Sequence, residues 1–517
     1  MPQVLKIRFQ DVDWRSWPES RHSIAFLIIG FTLLRLVLAA LLPVLSQEAY
    51  YWSWSRHLEW SYFDHPPLAS YAIGLTTALL GQTSFGIKTA AALWALGWNL
   101  MWLRLVLDMY GDRRVAFWSL AALNLTLLYG AASVSPTPDG PLLFAWIGAV
   151  WAIWRLSASG DGRWWFVAGA FLGLSWLGKY AGVLLLPVAF LYLLVSPGQR
   201  HWLRKPQPYL AALLALVIFA PVLYWNAQHD WASFTFQGRR RLDEMSGLRP
   251  RYFVALLVTQ FILVTPYLFV MSLAALGRGA RAALSGRLDD RSRLLLLSAA
   301  VPIVLFTFIS FRSLVKLNWL IPAFWALIIL GTRHLLTLEN GPKRLLRGLA
   351  SSAALMALGG VVMMTALLPL KEDLDNWSGF DRTAAWVDKA SADLKAEGVE
   401  SFVFSPNYKI SSLMRFHLAG QPRTYAQDIY GQKALQFDYF PLPDDRLKGQ
   451  TGFFISNQPA SDLYVPSLKV FFDDVDLIHV VEIKSFGRIT REIRIYRCTN
   501  YKGHPRRHGR PLEPAND

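Results

Sequence analysis

The chain has 517 residues, of which 53% are hydrophobic and only 17% charged. Soluble domains carry about 25% charged residues, so this composition excludes an ordinary soluble enzyme and points to the membrane. The net charge is +16 but falls in short segments between apolar runs, against a nucleic-acid partner, and the single cysteine excludes an intrachain disulfide or a cysteine metal cluster.

Residues 1–23 read as a cytoplasmic amphipathic N-terminus. The first apolar run, 24–45, has about the 20 residues that span a bilayer. It contains Arg35, so it is not wholly lipid-facing. It is too long for a signal-peptide core and no A-x-A site follows, so no cleaved leader is expected. Ten more spans follow at 86–107, 115–132, 140–156, 164–178, 181–196, 209–225, 253–275, 294–311, 318–333 and 348–369, with a short turn needed near Gly178 to Gly182. The basic residues in segments 113–114, 163, 200–205, 278–293 and 343–347 all fall on one side, which the positive-inside rule makes cytoplasmic. The same alternation sends 47–67, 133–139, 178–180, 226–251 and 311–316 outside, together with everything after about 370. That last part changes character. Strand-like runs (SFVFS, TGFFIS, IHVVEI, EIRIYR) and a helix-like NYKISSLMRFHLAG predict a soluble α/β domain over 370–500, followed by a disordered tail, 501–517. The expected fold is therefore an α-helical polytopic membrane protein with a C-terminal soluble α/β domain, and the bilayer is its first partner.

The external stretches hold the residues that need explaining. QEAYYWSWSRHLEWSYFDHPP carries Glu48, Glu59, Asp64 and His65 among aromatics that include Tyr50, Tyr51, Trp52 and Tyr62. Those rings suit an interfacial belt, or stacking on a sugar or lining a lipid groove. Glu59 beside Arg56 reads as a surface pair. His57 and His65 lack the further ligands of a zinc site. Asp139, in SPTPDGPLLF, is either a helix-capping acid or a carboxylate presented rigidly by its flanking prolines. Arg239, Arg240 and Arg241 break the orientation rule; they are either a solvated basic loop or a bidentate anion site. Lys316 and Asn318 of KLNW and Lys179 of GKY stand at span ends, where a lysine either snorkels or meets a phosphate.

Carboxylates, arginines and a membrane combine into one reaction: an acid takes a proton from an acceptor oxygen, which attacks the anomeric carbon of a lipid-phosphate sugar while cations stabilise the departing phosphate. No nucleotide-binding loop is present. A flippase would instead place charges within spans and show inverted repeats, and a non-catalytic binding subunit would have lost its base.

QEAYYWSWSRHLEWSYFDHPPLASY, SPTPDGPLLFAW, GLSWLGKYAGVLL and KLNWLIPAFWAL resemble the motifs of bacterial polyprenyl-phosphate-sugar glycosyltransferases of the GT-C superfamily, the branch holding protein mannosyltransferases, the aminoarabinose transferase acting on lipid A and rhizobial lipopolysaccharide galacturonosyltransferases. The tail, SPNYKISSLMRFHLAGQPRTYA, resembles their periplasmic domain. The resemblance implies an inverting transfer at the periplasmic face of the inner membrane, from a polyprenyl-phosphate-sugar donor to a glycolipid acceptor, lipid A or lipopolysaccharide core before protein. It places the key acid in the first external loop, commonly as an Asp-Glu or Glu-Glu pair; here Gln47 replaces the first member, leaving Glu48, with Asp64 to share the role. Asp139 matches the second acidic position. His65 stands where the aminoarabinose branch has a lysine near the phosphate. The donor-phosphate candidates are Arg239, Arg240, Lys179, Lys316 and His65; those lining the substrate are Tyr50, Tyr51, Trp52, Tyr62 and Asn318. No cofactor is required, and a divalent metal is compatible with Glu48 and Asp139. Neither the sugar nor the acceptor is fixed by these residues, although an arginine cluster suits a uronic acid.

Overall fold

The computed structural model describes residues 20–244, 247–365, 377–440, 444–458, 461–485 and 488–503. Most of the segments read as an amphipathic N-terminus and a disordered tail lie outside these residues. The helices run in order as α1 (Arg21–Leu41), α2 (Ser46–Ser55), α3 (Leu68–Leu80), α4 (Ser84–Tyr110), α5 (Arg113–Asn124), α6 (Leu127–Ala132), α7 (Asp139–Ser159), α8 (Trp164–Gly178) and α9 (Leu185–Val195). There follow α10 (Gln207–Gln228), α11 (Ala232–Glu244), α12 (Pro250–Leu263), α13 (Pro266–Leu284), α14 (Asp290–Ser310), α15 (Ile321–Leu336) and α16 (Gly341–Thr365). The C-terminal part adds α17 (Phe380–Ala396), β1 (Ser401–Phe404), α18 (Tyr408–His417), β2 (Thr451–Ser456), β3 (Asp474–Ser485) and β4 (Arg488–Thr499).

Each of the eleven predicted spans holds helix among the described residues, but not all as single rods. Among the described residues five helices (α1, α4, α7, α10 and α14) are long and apolar enough to cross a membrane, and up to seven spans result if each of two bent helix pairs counts as one. The predicted span 253–275 is one of those pairs, turning by 115° between α12 and α13. Pro266 opens α13 and Thr265 before it has φ +67°. Proline lacks the N–H that would continue α12 and disfavours helical geometry in its predecessor. The predicted span 115–132 divides into α5 and α6, because Thr126 accepts the Tyr129 N–H at 3.2 Å and starts a new helix. The turn required near Gly178 is a 3-10 segment, Tyr180–Leu184. Helix α3 was not among the predicted elements; at 13 residues it is too short to register as a span.

The chain forms two compact units. The first comprises Met1–Ala40, His65–Ala69 and Lys88–Leu358. Its core is a continuous apolar mass around buried Trp98, Trp102, Trp146 and Trp325. Helices here approach closely through small residues: a Cβ placed on Gly169 of α8 would lie 2.5 Å from the Ala211 carbonyl oxygen of α10. Such contacts replace the hydrophobic drive that lipid cannot supply. Polar side chains tie the rest, with Trp146 Nε1 donating to Ser298 Oγ at 2.9 Å and the Tyr129 hydroxyl to the Ile321 carbonyl at 2.7 Å. Arg35, 4% exposed on an apolar helix, donates to the Asn124 side-chain oxygen, and Asn124 in turn donates to Asn99 at 2.9 Å.

The second unit comprises Leu41–Asp64, Ser70–Ile87 and Gly359–Asp517, so residues 47–64 of the first predicted external stretch group with the C-terminal part, while 65–67 fall in the first unit. The four predicted strands form one sheet of order β1-β2-β4-β3, with β1 parallel to β2 and the other pairings antiparallel. Phe402, Phe404, Phe454, Phe472 and Tyr496 form its core. The predicted helix NYKISSLMRFHLAG is α18, capped by Asn407, whose side chain accepts the Lys409 N–H.

Candidate active site

In the first unit the site is built around Asp139. The acid occupies the first turn of α7 behind Pro138, where unsatisfied backbone N–H groups favour negative charge. It is 1% exposed. Helix α8 ends at Gly178, and Lys179 adopts extended backbone (φ −159°, ψ 142°), which throws its side chain off the helix. Lys179 Nζ donates to Asp139 Oδ1 at 2.7 Å. Only glycine fits at 178: a Cβ there would lie 2.9 Å from the Leu142 nitrogen and 3.2 Å from the Pro141 carbonyl carbon. From the turn before α15, Asn318 Nδ2 donates to Asp139 Oδ2, which also accepts from Thr137 Oγ1 at 3.2 Å. SPTPDGP, GKY and KLNW, far apart in sequence, thus meet at one buried carboxylate.

This alters two sequence expectations. Lys179 is committed to Asp139 as a buried ion pair, and Asn318 holds that same carboxylate. Both Asp139 oxygens are already occupied by protein donors, and among the described residues there is no cluster of three or more His, Cys, Asp or Glu that could hold a metal. The arrangement around Asp139 does not fit a cation, and no step below is routed through one. Of the other candidates in this unit, His65 is half-buried and Lys316 exposed. Arg239, Arg240 and Arg241 lie on α11, with side chains outside the described residues. Sequence reasoning passed over Thr137, and also Lys88, 1% exposed near the start of α4; a lysine at the head of an apolar helix was the available signal.

In the second unit the opening stretch forms α2. Glu48 is fully buried, and its Oε2 accepts the Leu45 N–H at 3.0 Å, an acid in the first turn capping its own helix. Two residues on, the Tyr50 hydroxyl donates to Asp64 Oδ2 at 2.8 Å and accepts the Gln436 N–H at 3.1 Å. Burial, with the Asp64 charge beside it, pushes the Tyr50 phenol well above its ordinary pKa, so it stays a neutral donor. Its ring packs on Tyr408, with centroids 4.3 Å apart, and edge-on to Trp54 at 4.9 Å. Trp52 donates to Gln82 at 2.7 Å and meets Phe416 of α18 edge-to-face at 5.4 Å. Tyr62 stacks on Trp54 at 4.7 Å, and its hydroxyl donates to the Trp54 carbonyl. Tyr50, Trp52 and Tyr62 have no exposed surface and Tyr51 has 4%. Of these aromatics, expected at an interface belt or along a substrate groove, Tyr50 and Trp52 pack against Tyr408 and Phe416 of α18, while Tyr51 and Tyr62 pack on Trp54.

The comparisons with known proteins agree with this framework. The sequence profile of the family described as dolichyl-phosphate-mannose-protein mannosyltransferase matches residues 64–225. A curated relative, the lipid A galacturonosyltransferase RgtD of Rhizobium johnstonii, is 28% identical over 316 residues, covering 60% of this chain and 65% of that protein, just under two thirds of its length. The fold is similar to that of ArnT from Cupriavidus metallidurans, solved with undecaprenyl phosphate, at a TM-score of 0.61 and 15% identity, over 92% of this chain and 98% of that one. It is also similar to the oligosaccharyltransferase AglB from Archaeoglobus fulgidus, solved with a dolichol-phosphate, at 0.50 and 11%, over 86% and 71%. The likeness to these two structures is one of fold, mostly helical with a small C-terminal sheet.

Proposed function

We propose that this chain is an inverting glycosyltransferase that moves a sugar from a polyprenyl-phosphate donor to a lipid A or lipopolysaccharide-core acceptor at the periplasmic face of the bacterial inner membrane. The relative named for lipid A and the neighbours holding polyprenyl and dolichyl phosphates support the donor and acceptor classes. The observation that carries the reading is the convergence of three separate motifs on Asp139. A carboxylate held from three sides is pre-organised before substrate arrives.

In this reading Glu48 accepts the proton of the acceptor hydroxyl, with Asp64 as its neighbour in the same loop. The oxygen attacks the anomeric carbon from the face opposite the phosphate, and the sugar–phosphate C–O bond breaks with its electron pair on the lipid phosphate. Arg239, Arg240, Lys316 and His65 stabilise that charge. Lys179 and Asn318 orient Asp139 toward the sugar.

Mass spectrometry of lipid A and core from cells with and without the gene tests this directly. Loss of one hexuronic acid, aminopentose or hexose mass names sugar and acceptor together. A protein acceptor is the second reading, favoured by the description of the matched family; it expects unchanged glycolipid and a lost modification on an envelope protein. Purified protein that consumes no lipid-phosphate sugar would leave a flippase or a binding subunit.

A further inference from the structure

The proposed reaction gives no role to a group of cations in the second unit. Arg415 of α18 is 8% exposed, and its Nε is enclosed with no hydrogen-bond partner. Among the described residues it makes no salt bridge; its guanidinium lies over the Trp52 ring of α2, 5.7 Å from the centroid. The Trp52 to Phe416 contact seats α18 on α2, and Gln421 donates to the Gln82 carbonyl at 3.2 Å, fixing the turn that follows. That turn carries Arg423, whose guanidinium lies 5.2 Å over Tyr425. The loop leaving α2 supplies Arg56, exposed, and His57, whose Nε2 is likewise enclosed without a partner.

These groups act on one another. Burial and the charges of Arg56 and Arg423 lower Arg415 to about 10. Burial and then Arg415, Arg423 and Arg56 lower His57 to about 4. Among the described residues no carboxylate contributes at either group. An enclosed, unpaired Arg415 Nε under the charges of Arg56 and Arg423 is costly unless an anion reaches it. Arginine's planar fork matches a carboxylate or phosphate in two-point contact. Arg423 also lines an open recess of about 370 Å³ between α17 and β1, whose mixed walls include Asp388, Lys395, Glu400 and Gln450. A recess holding donors and acceptors of both signs beside a cationic rim has the chemistry of a glycan site with an acidic substituent.

We propose that Arg415, Arg423 and Arg56 form a binding site for an oxyanion carried on the acceptor's sugars, a carboxylate or a phosphate, with the recess beside Arg423 taking the glycan around it. The inference rests on the transferase reading above. Its role is acceptor positioning, apart from the chemistry at Glu48 and Asp139.

Saturation-transfer NMR on the full chain in detergent, with galacturonate, galactose 6-phosphate and galactose as probes, tests it. A charged sugar that binds above galactose, with the excess lost in Arg423→Gln and Arg415→Gln, supports the site, and whichever of the two binds more strongly identifies the anion. Equal signals from all three sugars, or a charged-sugar excess that survives both variants, overturns it. Arg423→Gln removes only a half-buried cation, so it stays informative should Arg415→Gln fail to fold. In the transfer assay, Arg423→Gln is expected to raise the acceptor KM about tenfold, as for one lost charge-assisted hydrogen bond, with donor KM and kcat unchanged. A shift in donor KM instead overturns the proposal. Arginine-dependent sugar binding by a protein that transfers nothing would overturn the transferase reading and leave this site standing.

Discussion

Lys179 Nζ lies 2.7 Å from Asp139 Oδ1, and this contact joins the end of α8 to the start of α7 in a setting where both side chains are at least nine-tenths buried. Removing one member of a buried pair strands the other's charge, which costs about 3–5 kcal/mol. Lys179→Met is therefore expected to lower thermal stability in detergent sharply. The double variant with Asp139→Asn should recover much of that loss, because no unmatched charge remains. Additive losses in a double-mutant cycle would mean that the two groups are not coupled.

Gly178→Ala places a methyl group against the Leu142 nitrogen and the Pro141 carbonyl carbon, both backbone atoms that cannot rotate away. The clash is expected to cost about 1–3 kcal/mol and to move Lys179 off Asp139. Thermal unfolding and sugar transfer should fall together in this variant.

Glu48→Gln separates catalysis from stability. The glutamine oxygen can still accept the Leu45 N–H, so the start of α2 is preserved. Its amide cannot take a proton. Transfer is expected to drop by about 10²–10⁴-fold, the usual contribution of a general base, with donor binding and melting temperature retained. Near-normal turnover would move the base assignment to Asp64 or Asp139.

Tyr50→Phe removes the hydroxyl that links Asp64 to the Gln436 backbone and leaves that N–H without its acceptor. A cost of about 1–3 kcal/mol follows from the buried donor. Limited proteolysis should cut faster near residue 436, and an unchanged cleavage rate would deny the linkage.

His57 makes stability depend on pH. Its folded pKa of about 4 lies below the ordinary value of 6.5 because of burial and the facing Arg415, Arg423 and Arg56. Between these values the unfolded chain binds the extra proton, so stability rises with pH through this window and is lost as pH falls from 6.5 toward 4. Melting temperatures measured from pH 4 to 7 should show that slope in the wild type and a flatter one in His57→Gln.

Periodicity carried far in this sequence. The alternating runs in the tail became β1, β2, β3 and β4, and each apolar run holds helix among the described residues. What it missed were interruptions that turn on single residues. Thr265 and Pro266 bend what looked like one span, and Thr126 restarts another. Hydropathy averages over such residues. The motifs around Asp139 were visible one at a time, but their pairing was not, because nothing local in GKY or KLNW says which acid they will meet. The aromatics of α2 were misleading for a related reason. Trp52 and Tyr50 look interfacial by composition, while their partners Phe416 and Tyr408 lie more than 350 residues away.

The link between Arg35 and Asn124 has a consequence in time. The two residues are 89 positions apart, and synthesis at ~5–20 residues per second separates their appearance by seconds. Through that interval α1 exists with a guanidinium and no side-chain acceptor for it in the bundle. A charge of that kind does not rest alone in hydrocarbon. Helix α1 must therefore wait at the edge of the membrane or against the insertion machinery, and it takes its final seat only when α5 has arrived.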